Sequence, residues 1–424
     1  MKKIVWLSIL FSVYSTVFSQ TIFYNNGEEV YVVQGTDMIV TEGDYQNENG
    51  ITENHGQLIV EGNYINNAQT KGGVLGSEYV IYQDWENNLD FDADSCNVIL
   101  EGAAQSIKGI AVSTFYDLTL ENGAIKTQEI DAEVSNTLFL NDCELATTDF
   151  KMIILNPDIF AIDFLEDIGF VSSTNDGRLV RTTNSNGEYI FPVGETNNGL
   201  KYRPIAISPS TASVQQFETR LVYDDATNEG YPLSNIEPTV DGLNQNFFHY
   251  IAQTEGTDVA ALTIYYDASV EGEWTEIARY ESTELWMSLE NGTVASSGIL
   301  DGVTKEDWES NGQESHILIN TQDIVIPPTP EGETYALPNV FTPLGTQGEN
   351  TTFGVLNQNG LVTVESMQIF NRWGEEIFNG QGAWDGYYKG ELQPTGNYAY
   401  LIQMRDNATG ELLTPTLGNI LLIW

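Results

Sequence analysis

Basic residues are scarce in this chain. Its 424 residues include 16 Lys and Arg against 61 Asp and Glu, a formal net charge of -45. A surface that negative repels phosphate backbones, so nucleic acid is not expected as a partner. Histidine is scarcer still: His55, His249 and His316 lie far apart and show no metal-ligand spacing. There is no G-x-S-x-G elbow and no Gly-rich phosphate loop opening a helix. These absences argue against an enzyme and against a bound cofactor. With two cysteines, Cys96 and Cys143, no multi-thiol metal site can form; they are either a disulfide or two buried small side chains. No long stretch repeats apolar residues at helical spacing.

Turn-forming and apolar residues are plentiful instead. The 38 Gly, the many Asn, Thr and Asp residues and a hydrophobic content of 41% predict a turn-rich, all-β protein with packed cores. The first 19 residues read as a signal peptide. Lys2 and Lys3 precede a short apolar run, Ile4 to Val13, and Val17 and Ser19 give small residues before a cut between Ser19 and Gln20. That run is too short to span a membrane as a helix.

Residues 20–164 carry a repeat. Short apolar runs are centred on Ile39, Ile59, Val80, Ile99, Thr119, Phe139 and Ile154, at spacings of 20, 21, 19, 20, 20 and 15 residues. Gly or Asn often follows a run, as in Glu61-Gly62-Asn63 and Glu121-Asn122-Gly123. A fixed period near twenty predicts a solenoid, a short right-handed parallel β-helix of about six coils, because one coil cannot bury its own apolar face. Many such folds cleave polysaccharides. Here residues 36–160 contain no Arg and only Lys71, Lys108, Lys126, Lys151 and His55 as bases, a poor set for a lyase. Asp90, Asp92 and Asp94 form an acidic run without the Gly and distant Glu of a calcium loop, a weak Ca2+ candidate.

Residues 165–325 lose the twenty-residue beat. Nine candidate strands, from Leu179–Thr182 to Ile317–Gln322, are separated by Asn- and Gly-rich turns and predict a β-sandwich. Arg203 is expected to pair with a local carboxylate, with anion binding as the alternative. Trp85, Trp274, Trp286 and Trp308 are candidate sugar platforms or core residues. Residues 326–335, including IPPTPEGE, read as a Pro-rich linker.

Residues 336–424 contain ALPNVFTP, VESMQIFNRWGEEIF, WDGYYKG and PTGNYAYLIQMRD in sequence. These blocks resemble the gliding-motility-associated C-terminal domain of secreted Bacteroidetes proteins, the type B sorting domain of the type IX secretion system. The matching residues include Asn339, Phe341, Pro343, Phe370, Asn371, Arg372, Trp373, Gly374, Trp384, Asp385, Gly386, Gly396 and Tyr398. The resemblance implies an Ig-like β-sandwich, Sec export, passage by the type IX machinery, and an outer-surface or secreted destination. Trp373 and Trp384 are expected as core anchors. Arg372 is either an ion-pair residue or part of the surface read by the machinery. One loop departs from the family: the acidic TPNGDG-type segment is replaced by Thr342 to Asn350, TPLGTQGEN. The function expected is that of a non-catalytic surface protein, an adhesin or an accessory of gliding motility. Its partners would be a larger surface adhesin or a surface polysaccharide. The alternative is a carbohydrate-binding or polysaccharide-degrading β-helix.

Overall fold

A computed structural model describes residues 21–197, 199–296, 299–322, 335–345, 350–357 and 360–424. The leader with its Ser19–Gln20 cut and residues 326–334 of the linker lie outside the described residues. The chain is all-β and divides into two compact units, Met1–Asp323 and Ile324–Trp424.

The first unit opens with a solenoid of about seven turns. Each coil contributes short strands to three parallel faces. The first face is an eight-stranded sheet running from Thr21–Asn25 to Phe170–Ser172. The second runs from Glu29–Val32 to Arg178–Thr183, and the third from Asp37–Val40 to Ile162–Phe164. Strands alternate inward and outward residues, so each run splits across the sheet. On the third face Leu58 sits over Tyr79, Tyr79 over Val98 and Val98 over Leu118, all fully buried.

The run around Ile154 proves to belong elsewhere. Lys151–Ile154 lies on the second face, pairing with Ala132 to Val134. The seventh strand of the third face is Ile162–Phe164, where Leu138 meets Ile162. That explains the short last spacing: two faces had been counted as one.

Inside the first face, two ladders fix the register. Phe23, Tyr45, Tyr64 and Trp85 stack ring on ring, with centroids 5.0, 5.4 and 4.7 Å apart and planes within 14°. Such offset pairs add roughly 0.5–1.5 kcal/mol each beyond burial. The phenols of Tyr45 and Tyr64 are matched to Thr52 Oγ1 at 2.7 Å and Thr70 Oγ1 at 2.8 Å. Two residues further along each strand, Asn25, Asn47, Asn66 and Asn87 form a buried amide ladder. Each Nδ2 donates to the next Oδ1, at 3.1, 3.5 and 2.8 Å. The ladder stops at Gly109, where φ is +130° and a Cβ would lie 1.9 Å from the Asn87 carbonyl.

Cys96 and Cys143 are both buried free thiols, so the disulfide is not formed. Asn97 aligns with Asp117, and Asp117 with Thr137, so Cys96 lies two coils before the coil that ends at Cys143. Two coils separate them by about 10 Å of stack, beyond the roughly 7 Å that bridging tolerates.

The parallel stack does not end at residue 164. Glu144–Ala146 pairs with Phe170–Ser172, and Lys151–Ile154 with Arg178–Thr183. The other edge of Arg178–Thr183 then pairs antiparallel with Gln215–Val222. One strand thus closes the solenoid and opens the sandwich, and the open edge of the last coil is covered. The strand sequence continues antiparallel through Phe248–Glu255, Ser315–Thr321 and Glu276–Tyr280. A second sheet orders Tyr189–Phe191, Ile205–Pro209, Ala260–Tyr266, Asp301–Trp308 and Thr293–Ser296. All nine expected strands are present; Val240–Leu243, Thr293–Ser296, Asp301–Trp308 and the shorter Phe170–Ser172, Gly194–Glu195 and Lys201–Tyr202 are additional.

Arg181 pins the junction. Its guanidinium is buried against Tyr189 and Phe191 and donates to the carbonyls of Ile190, Asp158 and Ile159. Burial without a carboxylate pulls its pKa down to about 10.

Replacing Asn66 by Ala should cost about 2–3 kcal/mol, because it leaves buried partners on both neighbouring coils unpaired. Asn49→Ala, at an exposed position, should change stability by less than about 0.5 kcal/mol. Urea unfolding of the full-length chain separates the two.

Candidate functional site

The outer rows of the three solenoid faces differ in chemistry. On the second face the outward row reads Tyr31, Glu53, Lys71, Asp92, Thr114, Glu133. Three acids and one lysine make that row polar. At the start of the first face, Asp44, Asn63 and Asp84 each accept the backbone N–H of the residue one coil on, at 2.7, 3.0 and 2.8 Å. Those side chains are occupied in holding corners.

The third face alone carries an apolar row. Ile39, Ile59, Val80, Ile99, Thr119 and Phe139 occupy its outer positions in register, one per coil; Ile39 is exposed, Val80 is buried, the others are half-buried, and Thr119 is the one polar member. With a strand spacing near 4.8 Å the row is about 24 Å long. It is walled on one side by Asp37, Gln57, Glu78, Asn97 and Asp117, and on the other by Glu61, Tyr82, Glu101 and Glu121. The row ends where Phe139 meets Asp163. An open depression of about 630 Å³ lies near its start, lined by Ile39, Ile59, Glu61, Tyr82, Gln83 and Gly102. Another of about 390 Å³ lies near its end, around Thr137, Phe139, Phe160 and Asp163. Each of these depressions contains one carboxylate.

Among the described residues no three His, Cys, Asp or Glu side chains are grouped to hold a metal ion. Asp92 instead accepts the backbone N–H of Asp94, which has φ of +48°, so it serves a turn.

The sandwich brings two of the three histidines together. His249 and His316 face each other on neighbouring strands, both fully buried. The Trp308 indole donates to His316 Nε2 at 2.9 Å, and His316 Nδ1 donates to the Glu314 carbonyl at 2.7 Å. His249 Nε2 donates to the Arg203 carbonyl at 2.8 Å. His316, which accepts at Nε2, is therefore the neutral Nδ1–H tautomer, and His249 carries a proton on Nε2. Burial pushes their pKa values down to about 4 for His249 and about 3 for His316. His55 stands apart on the solenoid, 2.7 Å from Glu53.

Arg203 holds a buried carboxylate and has no vacant face for an anion. Its Nε lies 3.1 and 3.0 Å from the two oxygens of Glu271, which also accepts from the Tyr223 hydroxyl at 2.9 Å and from the Asp267 backbone N–H at 2.7 Å. The partner comes from 68 residues along the chain. Trp85, Trp286 and Trp308 are core residues and Trp274 is half-buried. None of the four is an open ring platform.

The C-terminal unit is built on a five-stranded sheet. Its order is Val340–Phe341, Thr416–Leu422, Gly396–Asp406, Val362–Phe370 and Glu376–Gly380, with two short ribbons beside it. Phe341, Phe353, Ile369, Trp384, Tyr398 and Ile420 form the centre of its core. Trp384 packs 5.2 Å from Phe341 and 5.1 Å from Tyr398, and its indole donates to the Tyr387 carbonyl at 3.1 Å. The Tyr398 hydroxyl donates back to Pro394 at 2.6 Å. Gly386 has φ of +82°, and a Cβ there would lie 2.5 Å from Pro343 Cγ. That close approach leaves no space for a side chain at Gly386. Asp385 accepts the Tyr387 N–H at 3.0 Å, and the Asn339 carbonyl accepts from Leu421 at 3.0 Å.

Residues 335–414 match the CHU_C Type IX secretion signal domain. No curated protein and no solved structure matches the chain. The type IX signal domain marks the protein for export by the type IX secretion system toward the outer surface, and it implies contact with that machinery.

Most residues quoted for this domain are structural, but the Trp373 expectation fails. Trp373 is not a core anchor; it is 84% exposed. It sits at the tip of the hairpin joining Val362–Phe370 to Glu376–Gly380. Asn371 shapes the tip: its Oδ1 accepts from Trp373 and Glu375 N–H groups, both at 3.0 Å, and Gly374 closes the turn at φ +76°. Asn first and Gly fourth is a common β-turn pattern, and Trp373 is the third residue of this one. Phe370 is half-buried at the strand end, and Gly396 opens the longest strand of the sheet. In the departing loop, residues 346–349 lie outside the described residues, and Thr342 N–H reaches Asn350 at 2.7 Å.

Two measurements test these placements. Trp384→Ala should destabilise the C-terminal unit by about 3–5 kcal/mol, against less than about 0.5 kcal/mol for Trp373→Ala, read by thermal melts of the full-length chain. For the histidines the sign is set by proton uptake: unfolded His binds protons below pH 6.5, while the folded rings stay neutral until about 4 and 3. Stability contributed by each ring is present above pH 6.5 and is lost as pH falls toward 4, by about 1.4 kcal/mol per pH unit. Melts from pH 7 to 5 should fall more steeply for wild type than for His249→Gln.

Proposed function

We propose that the protein is a non-catalytic surface or secreted binding protein, exported by the type IX system, which acts as an adhesin or as an accessory of gliding motility and surface attachment. The observation that carries this reading is the apolar row of the third solenoid face. A strip about 24 Å long, walled largely by carboxylates, accommodates an extended partner of about seven residues. Larger exposed apolar strips rimmed by polar side chains mark interaction sites. The partner is expected to be an extended segment of a larger surface adhesin. Burial of the candidate tryptophan platforms supports this over polysaccharide binding. So does the single carboxylate in each depression, where glycoside hydrolysis uses a flanking pair.

A clean deletion and a full-length Ile59→Thr/Ile99→Thr variant test the reading. Threonine keeps strand propensity while removing the apolar row. Both strains should lose colony spreading or surface attachment, with the variant present at wild-type level on the surface. Normal spreading and attachment, together with lost growth on one polysaccharide, would sink the proposal.

A further inference from the structure

Arginines in this chain are otherwise fully engaged. Arg178, Arg203, Arg220, Arg279 and Arg405 each have a carboxylate within 4 Å, and Arg181 is held by three carbonyls. Arg372 differs. Among the described residues it is the one arginine with neither a hydrogen bond nor an ion pair, in a protein with 61 carboxylates to offer. Its guanidinium lies 5.9 Å over the ring of Trp373.

The turn that carries the pair is stiff. Besides the two N–H groups it accepts, Asn371 donates from Nδ2 to Glu375 at 3.1 Å. Glu375 is tied in turn to the Tyr388 hydroxyl at 3.3 Å, and Lys389 lies 4.5 Å over the Tyr388 ring. A large aromatic ring is thus held in water with a free cation on it, on a rigid tip, beside a second cation. Burying it elsewhere would have been favourable by roughly 1.5–3 kcal/mol. Rigid, exposed Trp–Arg pairs have the composition of interface hot spots, since little side-chain entropy is lost when they dock.

We infer that Arg372 and Trp373 form the docking tip by which the type IX machinery recognises this domain. The partner is a protein pocket with apolar walls for the indole and a carboxylate for the guanidinium. The pocket is a protein one because the tip belongs to a matched secretion signal and presents one ring and one fork at fixed geometry. The chain is at -45 overall, so an acidic pocket repels most of its surface; on the tip Glu375 is held by Asn371 and Tyr388, and the unpaired guanidinium of Arg372 is the group left to attract such a pocket. The inference rests on the export reading and adds the residues that are read.

The test uses the full-length protein expressed in a type IX-competent host. Trp373→Ala and Arg372→Glu should each reduce the surface-delivered fraction at least ten-fold, with retained protein accumulating inside the outer membrane. Purified variants should melt at the wild-type temperature, and Trp373→Phe should restore part of the delivery. Deletion of residues 335–424 is the reference. If the deletion is delivered normally, the export reading itself fails. If the deletion is blocked and both point variants are delivered normally, this inference alone is overturned. Loss of delivery with lowered melting temperatures in both variants would also overturn it, because a recognition tip leaves the fold intact. Trp373-dependent binding of the purified protein to phosphatidylglycerol vesicles would reassign the tip to a lipid surface and reject the protein pocket.

Discussion

Parallel, in-register pairing places each coil's residue over its counterpart about 4.8 Å away, and the rest of the solenoid must satisfy that constraint. A side chain in the interior has to tolerate its own kind above and below. Rings do so by offset stacking, as Phe23, Tyr45, Tyr64 and Trp85 do. Amides do so because one group donates while it accepts, as in the Asn25 to Asn87 ladder. Charges cannot repeat in this way. Lys126 accordingly sits between Gln105 and Leu145 in register and bonds to carbonyls of Gly102 and Ala103 and to Gln105 Oε1. Burial lowers its pKa. It is an isolated buried cation, in a row four residues away from that of the asparagine ladder.

The period near twenty was legible because each coil must turn at similar places, and Gly and Asn mark those turns. Which face a run belongs to was harder to read. Lys151–Ile154 has the same composition as the third-face strands, and only its partner strand distinguishes it. The outward stripe was written in the sequence but not recognised. Met38-Ile39-Val40, Leu58-Ile59-Val60 and Val98-Ile99-Leu100 are apolar at the middle position, where a strand with one wet face alternates to polar. The asparagine ladder was also visible as Asn25, Asn47, Asn66 and Asn87, spaced 22, 19 and 21 apart. Asn is also a common turn residue, so its presence alone does not distinguish a turn from a self-satisfying stack.

Long-range contacts resisted sequence reading for a different reason. Nothing near Arg203 announces Glu271, since their meeting depends on how two sheets pack. Trp373 shows the opposite case. Composition favours burying tryptophan, while the local signal, Asn371 followed three residues later by Gly374, favours a turn. Local geometry prevailed: the Asn371 turn places Trp373 at the tip, where it is exposed.

The strand Arg178–Thr183 has one edge paired parallel and the other antiparallel. It separates a part of the chain whose length is adjustable from a part whose length is not. Gain or loss of one twenty-residue coil before Glu144, where hydrogen bonds from the solenoid to the sandwich begin, would move the far end of the third face by a single strand spacing and leave those bonds in place. The solenoid is thus a graduated ruler with the sandwich as its fixed stop, and the reach of its outer stripe can be set in whole coils.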